Sequence, residues 1–144
     1  MSLNSIKRDL KDYIEENKAR LEAWENVTYL TKKDGTPFKS MSKNFTNATY
    51  KRKESFRGYI LEVDTKFTKN QYFRNYIDCG NKDNPNTLEE IKQKVSEEIE
   101  STKRFIKSLE KRLEAMKNPL QKVLWRFMRM LLLIHIISSM KHVH

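Results

Sequence analysis

Apolar positions along this chain recur at helical spacing near both ends and at alternating spacing in the middle. Leu3, Ile6, Leu10, Ile14, Leu21 and Trp24 step by three, four and seven residues, so they fall on one stripe and predict an amphipathic helix over 4–25. Asn17 interrupts that stripe, and Ser2, Asn4 or Ser5 can cap the first turn. The other faces carry mixed charge, with Lys11–Glu15 and Lys18–Glu22 four apart in the weaker orientation, and they read as solvated.

The period changes after residue 26. Residues 27–31 read as a strand closed by the turn signal Lys33-Asp34-Gly35-Thr36-Pro37. Residues 38–45 favour a loop or one short helical turn, and residues 46–51 suit a second strand. The clearest strand is 59–66, where Tyr59, Leu61 and Val63 alternate with Ile60, Glu62 and Asp64. A fourth is 71–79, entered through a corner at Lys69-Asn70. Residues 26–79 therefore predict a small antiparallel sheet of three or four strands.

Gly80-Asn81-Lys82-Asp83-Asn84-Pro85-Asn86 is the strongest break in the chain. Thr87 and Glu90 then form a capping-box pattern and open a helix over 87–117, about 46 Å long at 1.5 Å per residue. Its stripe is Leu88, Ile91, Val95, Ile99, Thr102, Ile106, Leu109, Leu113 and Met116, a coiled-coil-like seam with a four-residue insertion between Val95 and Ile99. So narrow a seam needs a second helix, either the first one or the same helix of another copy. Asn118-Pro119 ends it and starts a helix over 119–140 with almost no polar face, which has to be buried in a core, a dimer or a lipid boundary. Its uncharged run, 130–140, extends roughly 16 Å against about 30 Å of hydrocarbon, too short for a span. Burial in a helical core or a self-association interface is the expectation, with an interfacial anchor as the alternative. The whole reads as one α+β domain of residues 1–144, with helices on one face of the sheet and the other face open.

Charge adds a functional direction. The chain has a formal net charge of +10, and residues 31–75 hold eleven Lys/Arg against four acids. Nine of the fifteen aromatic residues lie between Phe38 and Tyr76. Cations interleaved with rings suit a polyanion surface, where charges meet phosphates and rings stack on bases. The candidate nucleic-acid-binding residues are Lys32, Lys33, Lys39, Lys43, Tyr50, Lys51, Arg52, Lys53, Arg57, Lys66, Lys69, Tyr72 and Arg74. Phe56, Tyr59, Phe73 and Ile77 are expected to be structural, and Tyr50, Tyr72 and Tyr76 exposed. The competing reading is that most rings face the helices and the cations are a solvated loop. The candidate helix-interface residues are Val95, Ile99, Ile106, Leu109, Leu113, Leu131 and Ile134.

Other chemistry is thin. No phosphate loop, dinucleotide fingerprint, nucleophile elbow or paired-Cys zinc spacing is present. His135 falls within the apolar helix, where a buried, hydrogen-bonded role is expected, and His142 and His144 lie at the frayed end. Glu62, Asp64 and Lys66 share a strand face and faintly resemble the end of a metal-nuclease motif, but the upstream acids Asp34 and Glu54 fall in loops. Cys79 is the single cysteine, so no intrachain disulfide forms and a structural role is expected. With no apolar signal core at the N-terminus, this suits a reducing, cytoplasmic setting, in which the Asn-x-Thr triplets at Asn26, Asn44 and Asn47 are chance.

The expectation is a small, non-enzymatic basic protein, without cofactor or metal, that engages nucleic acid or a nucleoprotein. Size and lysine content suit an accessory or inhibitor protein of a phage or mobile element. The alternatives are an assembly module, homodimeric or with a partner protein, acting through the C-terminal helices, and a peripheral membrane protein anchored by the last helix.

Overall fold

The computed structural model describes residues 2–67, 75–117 and 119–141. The first helix, α1 (Leu3–Glu25), begins where the Ser2 hydroxyl accepts the Ser5 N–H at 3.1 Å, the cap expected of a serine before a helical stripe. After it come β1 (Thr28–Tyr29), a short 3-10 helix (Met41–Asn44), β2 (Phe45–Thr46), β3 (Thr49–Lys53), a 3-10 turn (Glu54–Phe56), β4 (Gly58–Glu62) and β5 (Tyr76–Asn81). Two long helices follow, α2 (Leu88–Lys117) and α3 (Pro119–Lys141). The fold is α+β, as the changes of period require.

The seam of α2 is satisfied inside the chain. Trp24 shares a core cluster with Ile91 and Val95, Arg20 meets Glu98 and Thr102, and Tyr13 stacks edge-on against Phe105. These contacts run in opposite sequence order, so α1 and α2 are antiparallel. Ile91, Val95, Thr102, Ile106 and Leu109 are buried along that line. Asn17, the break in the α1 stripe, is also buried, and its Nδ2 donates to the Tyr13 carbonyl at 2.8 Å. Nearby, the Thr102 hydroxyl donates to the Glu98 carbonyl at 2.7 Å and accepts from Arg20 at 3.1 Å. The seam thus contains one polar layer, and its members bond to each other or to their own helix, as burial demands.

Strands β3, β4 and β5 form the main antiparallel sheet in that order. Tyr50, Leu61 and Ile77 lie side by side across it, and side chains alternate between faces, so this row turns toward the helices. With Val63, Cys79, Phe45, Val27 and Trp24 it builds the core against Ile91 and Val95. The next row, on the opposite face, holds exposed Lys51 and Asp78 with Ile60 between them, and Ile60 is fully buried, so this face is not wholly open as expected. The main sheet has three strands. The expected first strand instead pairs with Phe45–Thr46 in a separate ribbon, Thr28 opposite Thr46 and Tyr29 opposite Phe45. Asn47 explains the division. It takes a left-handed φ of 64°, which asparagine tolerates, and its Nδ2 donates to the Asn26 carbonyl at 2.9 Å, turning the chain between β2 and β3.

Two glycines meet where β4 and β5 pair irregularly. A Cβ on Gly58 would collide with the Gly80 carbonyl oxygen, and Gly80 itself needs a φ of +95°. Asn86 N–H then returns to the Cys79 carbonyl at 2.8 Å, and Lys94 Nζ reaches the Asp78 carbonyl and Asn86 Oδ1, both at 2.8 Å, tying α2 to β5. The capping box forms as expected, with Thr87 N–H on Glu90 Oε1 at 3.1 Å and Glu90 N–H on the Thr87 hydroxyl at 3.2 Å. Those bonds to Thr87, backbone N–H first, hold the Glu90 carboxyl below the usual carboxylate range.

The last helix departs from expectation. Apolar residues of α3 such as Val123, Phe127, Leu132 and Ile137 are all exposed, and none of the described side chains of the helix joins the core. The chain's own core does not bury α3, so the core option is removed, and His135 is exposed instead of buried. α1 and the sheet already cover the buried line of α2, from Ile91 to Leu109. Among the described residues, no helix is long and apolar enough to cross a membrane.

Candidate anion-binding site

The segment between β1 and β2 is held by one buried side chain. Asn44 Oδ1 accepts the Phe38 N–H at 2.7 Å, and its Nδ2 donates to the Phe38 carbonyl at 3.2 Å. Its own carbonyl accepts the Leu30 N–H at 2.9 Å, closing the base of the loop. At the other end, Asp34 Oδ1 accepts the Thr36 hydroxyl at 2.6 Å and the Thr36 N–H at 3.0 Å. The hydroxyl bond leads in lowering the Asp34 pKa, and the carboxylate is engaged locally by Thr36. Gly35 takes φ +87° at the corner of the turn, and the Lys32 carbonyl accepts its N–H at 2.9 Å.

This frame brings Lys32, Lys39 and Lys43 together around an open cleft of about 430 Å³, with Phe38 and Ser40 completing its wall. No carboxylate lines the cleft. Among the described residues, no ion pair engages Lys32, Lys33, Lys39 or Lys43. Three unneutralised ammonium groups around one concavity make a local positive potential suited to phosphate oxygens. Phe38, half-buried at the wall, offers an apolar edge beside them. Lys33 is exposed in the adjacent turn.

The second half of the predicted basic region is arranged differently. Lys51 Nζ pairs with Glu62 Oε1 at 3.0 Å, and Arg52 Nε with Glu54 Oε1 at 3.2 Å. Lys53 Nζ stands over the Tyr76 ring, 4.3 Å from its centroid, a cation–π contact on the outer sheet face. The three are on strand β3, not in a solvated loop, and acids of the same hairpin offset two of them. Arg57 remains exposed in the hairpin turn, in the left-handed region at φ 49°. Lys66 lies apart, beside the Phe67 ring and in a different cleft with Glu15, Glu22 and Asp64. Lys69, Tyr72 and Arg74 lie outside the described residues, as does Phe73.

Tyr50 corrects the expectation that it stands open for stacking. Its ring is stacked on Tyr59 at 5.3 Å and on Phe45 at 6.3 Å, turned into the core. Burial, with the Cys79 and Tyr59 groups adding to it, pushes its pKa up to about 12. Leu61 lies beside Tyr50 and Ile77 beyond it in the same row, so the pairing register decides which way Tyr50 faces. Tyr76, half-buried under Lys53, is likewise not a free platform.

The acidic constellation also disperses. Glu62 and Asp64 share a cleft of about 720 Å³ with Glu25, but Glu62 is paired with Lys51. Among the described residues, no group of three His, Cys, Asp or Glu side chains could hold a metal ion. Cys79 is fully buried, and that burial raises its thiol to about 11, the opposite of an activated nucleophile.

Of the candidate helix-interface residues, Val95, Ile106 and Leu109 are buried within the chain, Ile99 packs against its core, and Leu113 is half-buried on the same line. Leu131 and Ile134 alone stand free on α3. Asn44 is the positioning residue that composition did not single out. Its only signal was an asparagine in a lysine-rich, loop-like stretch.

Comparison with protein-family models, with curated proteins and with solved structures gave no match.

Proposed function

We propose that the protein is a non-enzymatic polyanion-binding protein and that its contact surface is the cleft of Lys32, Lys39 and Lys43. One observation carries this reading: three lysines with no ion pair line a single concavity with no carboxylate in its wall. Nucleic acid is the polyanion of choice, because the cleft pairs cations with the Phe38 edge and a chain field of +10 steers a phosphate backbone toward it. The hairpin cations support the field at longer range, and their bonds to Glu62, Glu54 and Tyr76 make them weaker direct contacts.

The test is a salt titration of binding to a labelled single-stranded oligonucleotide, read by fluorescence anisotropy. Replacing Lys32, Lys39 and Lys43 by Gln should lower the slope of log K against log salt by about two units, from roughly 0.7 per lost phosphate contact on a single strand. The same change at Lys51 and Arg52 should lower it by less than half as much. Equal slopes for the parent chain and the cleft variant, or no binding at low salt, overturn the proposal.

A further inference from the structure

Among the described residues, most of the exposed large apolar side chains lie on α3. Leu131, Leu132, Leu133 and Ile134 are consecutive, and successive helical positions are about 100° apart, so the four point to four different sides. All four are at least half exposed, from 50% at Leu131 to 61% at Leu132. A single partner helix or groove covers one stripe of a helix, as α1 covers the seam of α2. It leaves the remaining sides in water. A medium that surrounds the helix covers them all.

Charge narrows the choice further. Residues 119–144 contain four Lys/Arg and no Asp or Glu. Copies of α3 packed in parallel would bring Arg126 and Arg129 against their own kind with no acid on the helix to offset them. An anionic surface has the opposite sign and neutralises them. The uncharged run of 130–140 lies between Arg129 and Lys141, with cations at both ends, and extends roughly 16 Å. That is about half of the hydrocarbon thickness, so the helix does not cross. It can lie below the phosphates of one leaflet while Arg126 and Arg129 reach up to them.

We infer that α3 is a membrane-docking helix that inserts into one leaflet of an anionic bilayer, with Leu131 and Ile134 among its embedded anchors and Arg126 and Arg129 at the lipid phosphates. This goes beyond polyanion binding at the lysine cleft and rests on different residues.

Vesicle co-sedimentation of the full chain tests it, using phosphatidylcholine alone and phosphatidylcholine with about one-third phosphatidylserine. The chain should pellet with the anionic vesicles. The double variant Leu131→Asp/Ile134→Asp should lose at least roughly tenfold in partitioning, from the apolar side chains no longer transferred. Circular dichroism should be unchanged, since neither residue belongs to the core. Gln at Lys32, Lys39 and Lys43 should leave most vesicle binding intact, which separates this inference from the cleft. Three outcomes overturn it: no pelleting with either vesicle, pelleting lost in the cleft variant but kept in the Asp variant, or a stable oligomer that ignores vesicles and is dissolved by the Asp pair. The last result would identify a second copy as the occupant.

Discussion

At the scale of single residues, Asn44 decides where three of the lysines stand. It satisfies both backbone groups of Phe38 from a buried position, and so it ties the loop between β1 and β2 and the backbone that carries its cations. Asn44→Ala leaves that N–H and carbonyl to find other partners, a loss of about 1–3 kcal/mol for groups shielded from water. The expected result is a lower urea midpoint together with weaker oligonucleotide binding. A variant with the same midpoint and affinity as the parent would mean that the loop is held by other contacts. The lysines themselves were legible in the sequence. Their grouping was not, because Lys32 and Lys43 are eleven positions apart and a buried amide brings them together.

At the scale of elements, periodicity carried most of the fold. The stripes of α1 and α2 were readable because each helix buries one face, and the capping box because two side chains at fixed spacing satisfy each other's backbone. The hairpin was harder. Lys51 and Glu62 are diagonal neighbours only because Thr49 stands opposite Glu62 and Lys51 opposite Ile60. That register follows from a Glu54–Phe56 turn with no strong sequence signature, so the offsetting of the basic cluster could not be counted in advance. The α1–α2 pair has its own specificity device in the layer of Arg20, Glu98 and Thr102, where Arg20 and Glu98 stand 3.4 Å apart and partly shielded. Polar positions in an otherwise apolar seam set its register at some cost in stability. Arg20→Ala removes both partners' contacts and the covering stem, and should cost about 1–3 kcal/mol in urea unfolding. An unchanged midpoint would place the register in the apolar positions alone.

At the scale of the whole molecule, one core joins sheet and helices, and burial raises the pKa of Tyr29, Tyr50 and Cys79 within it. Tyr50 and Cys79 both hold their protons more tightly folded than unfolded, because burial disfavours the charged forms. Their contribution is therefore complete below their ordinary values of 9.0 for the thiol and 10.0 for the phenol. It fades as pH rises toward about 11 and about 12 respectively. Urea midpoints should fall across that window, and Tyr50→Phe should make the fall shallower. An equally steep fall in the variant would assign the alkaline loss to other groups. The fate of α3 belongs to this scale too. Its composition announced a need for burial, yet whether the rest of the chain had room for it depended on how α1, α2 and the sheet closed around one another.

The antiparallel α1–α2 pair has a last consequence. The lysine loop lies at the end where Lys92 stands over the Tyr29 ring, 5.0 Å from its centroid, whereas α3 departs beyond Lys117. The 25 helical steps between Lys92 and Lys117 amount to about 38 Å. Mobile ions at physiological strength screen exposed charges with a decay length of about 8 Å. The lysine loop and the start of α3 therefore act as largely separate electrostatic sites, and the helical pair is the strut that keeps them apart.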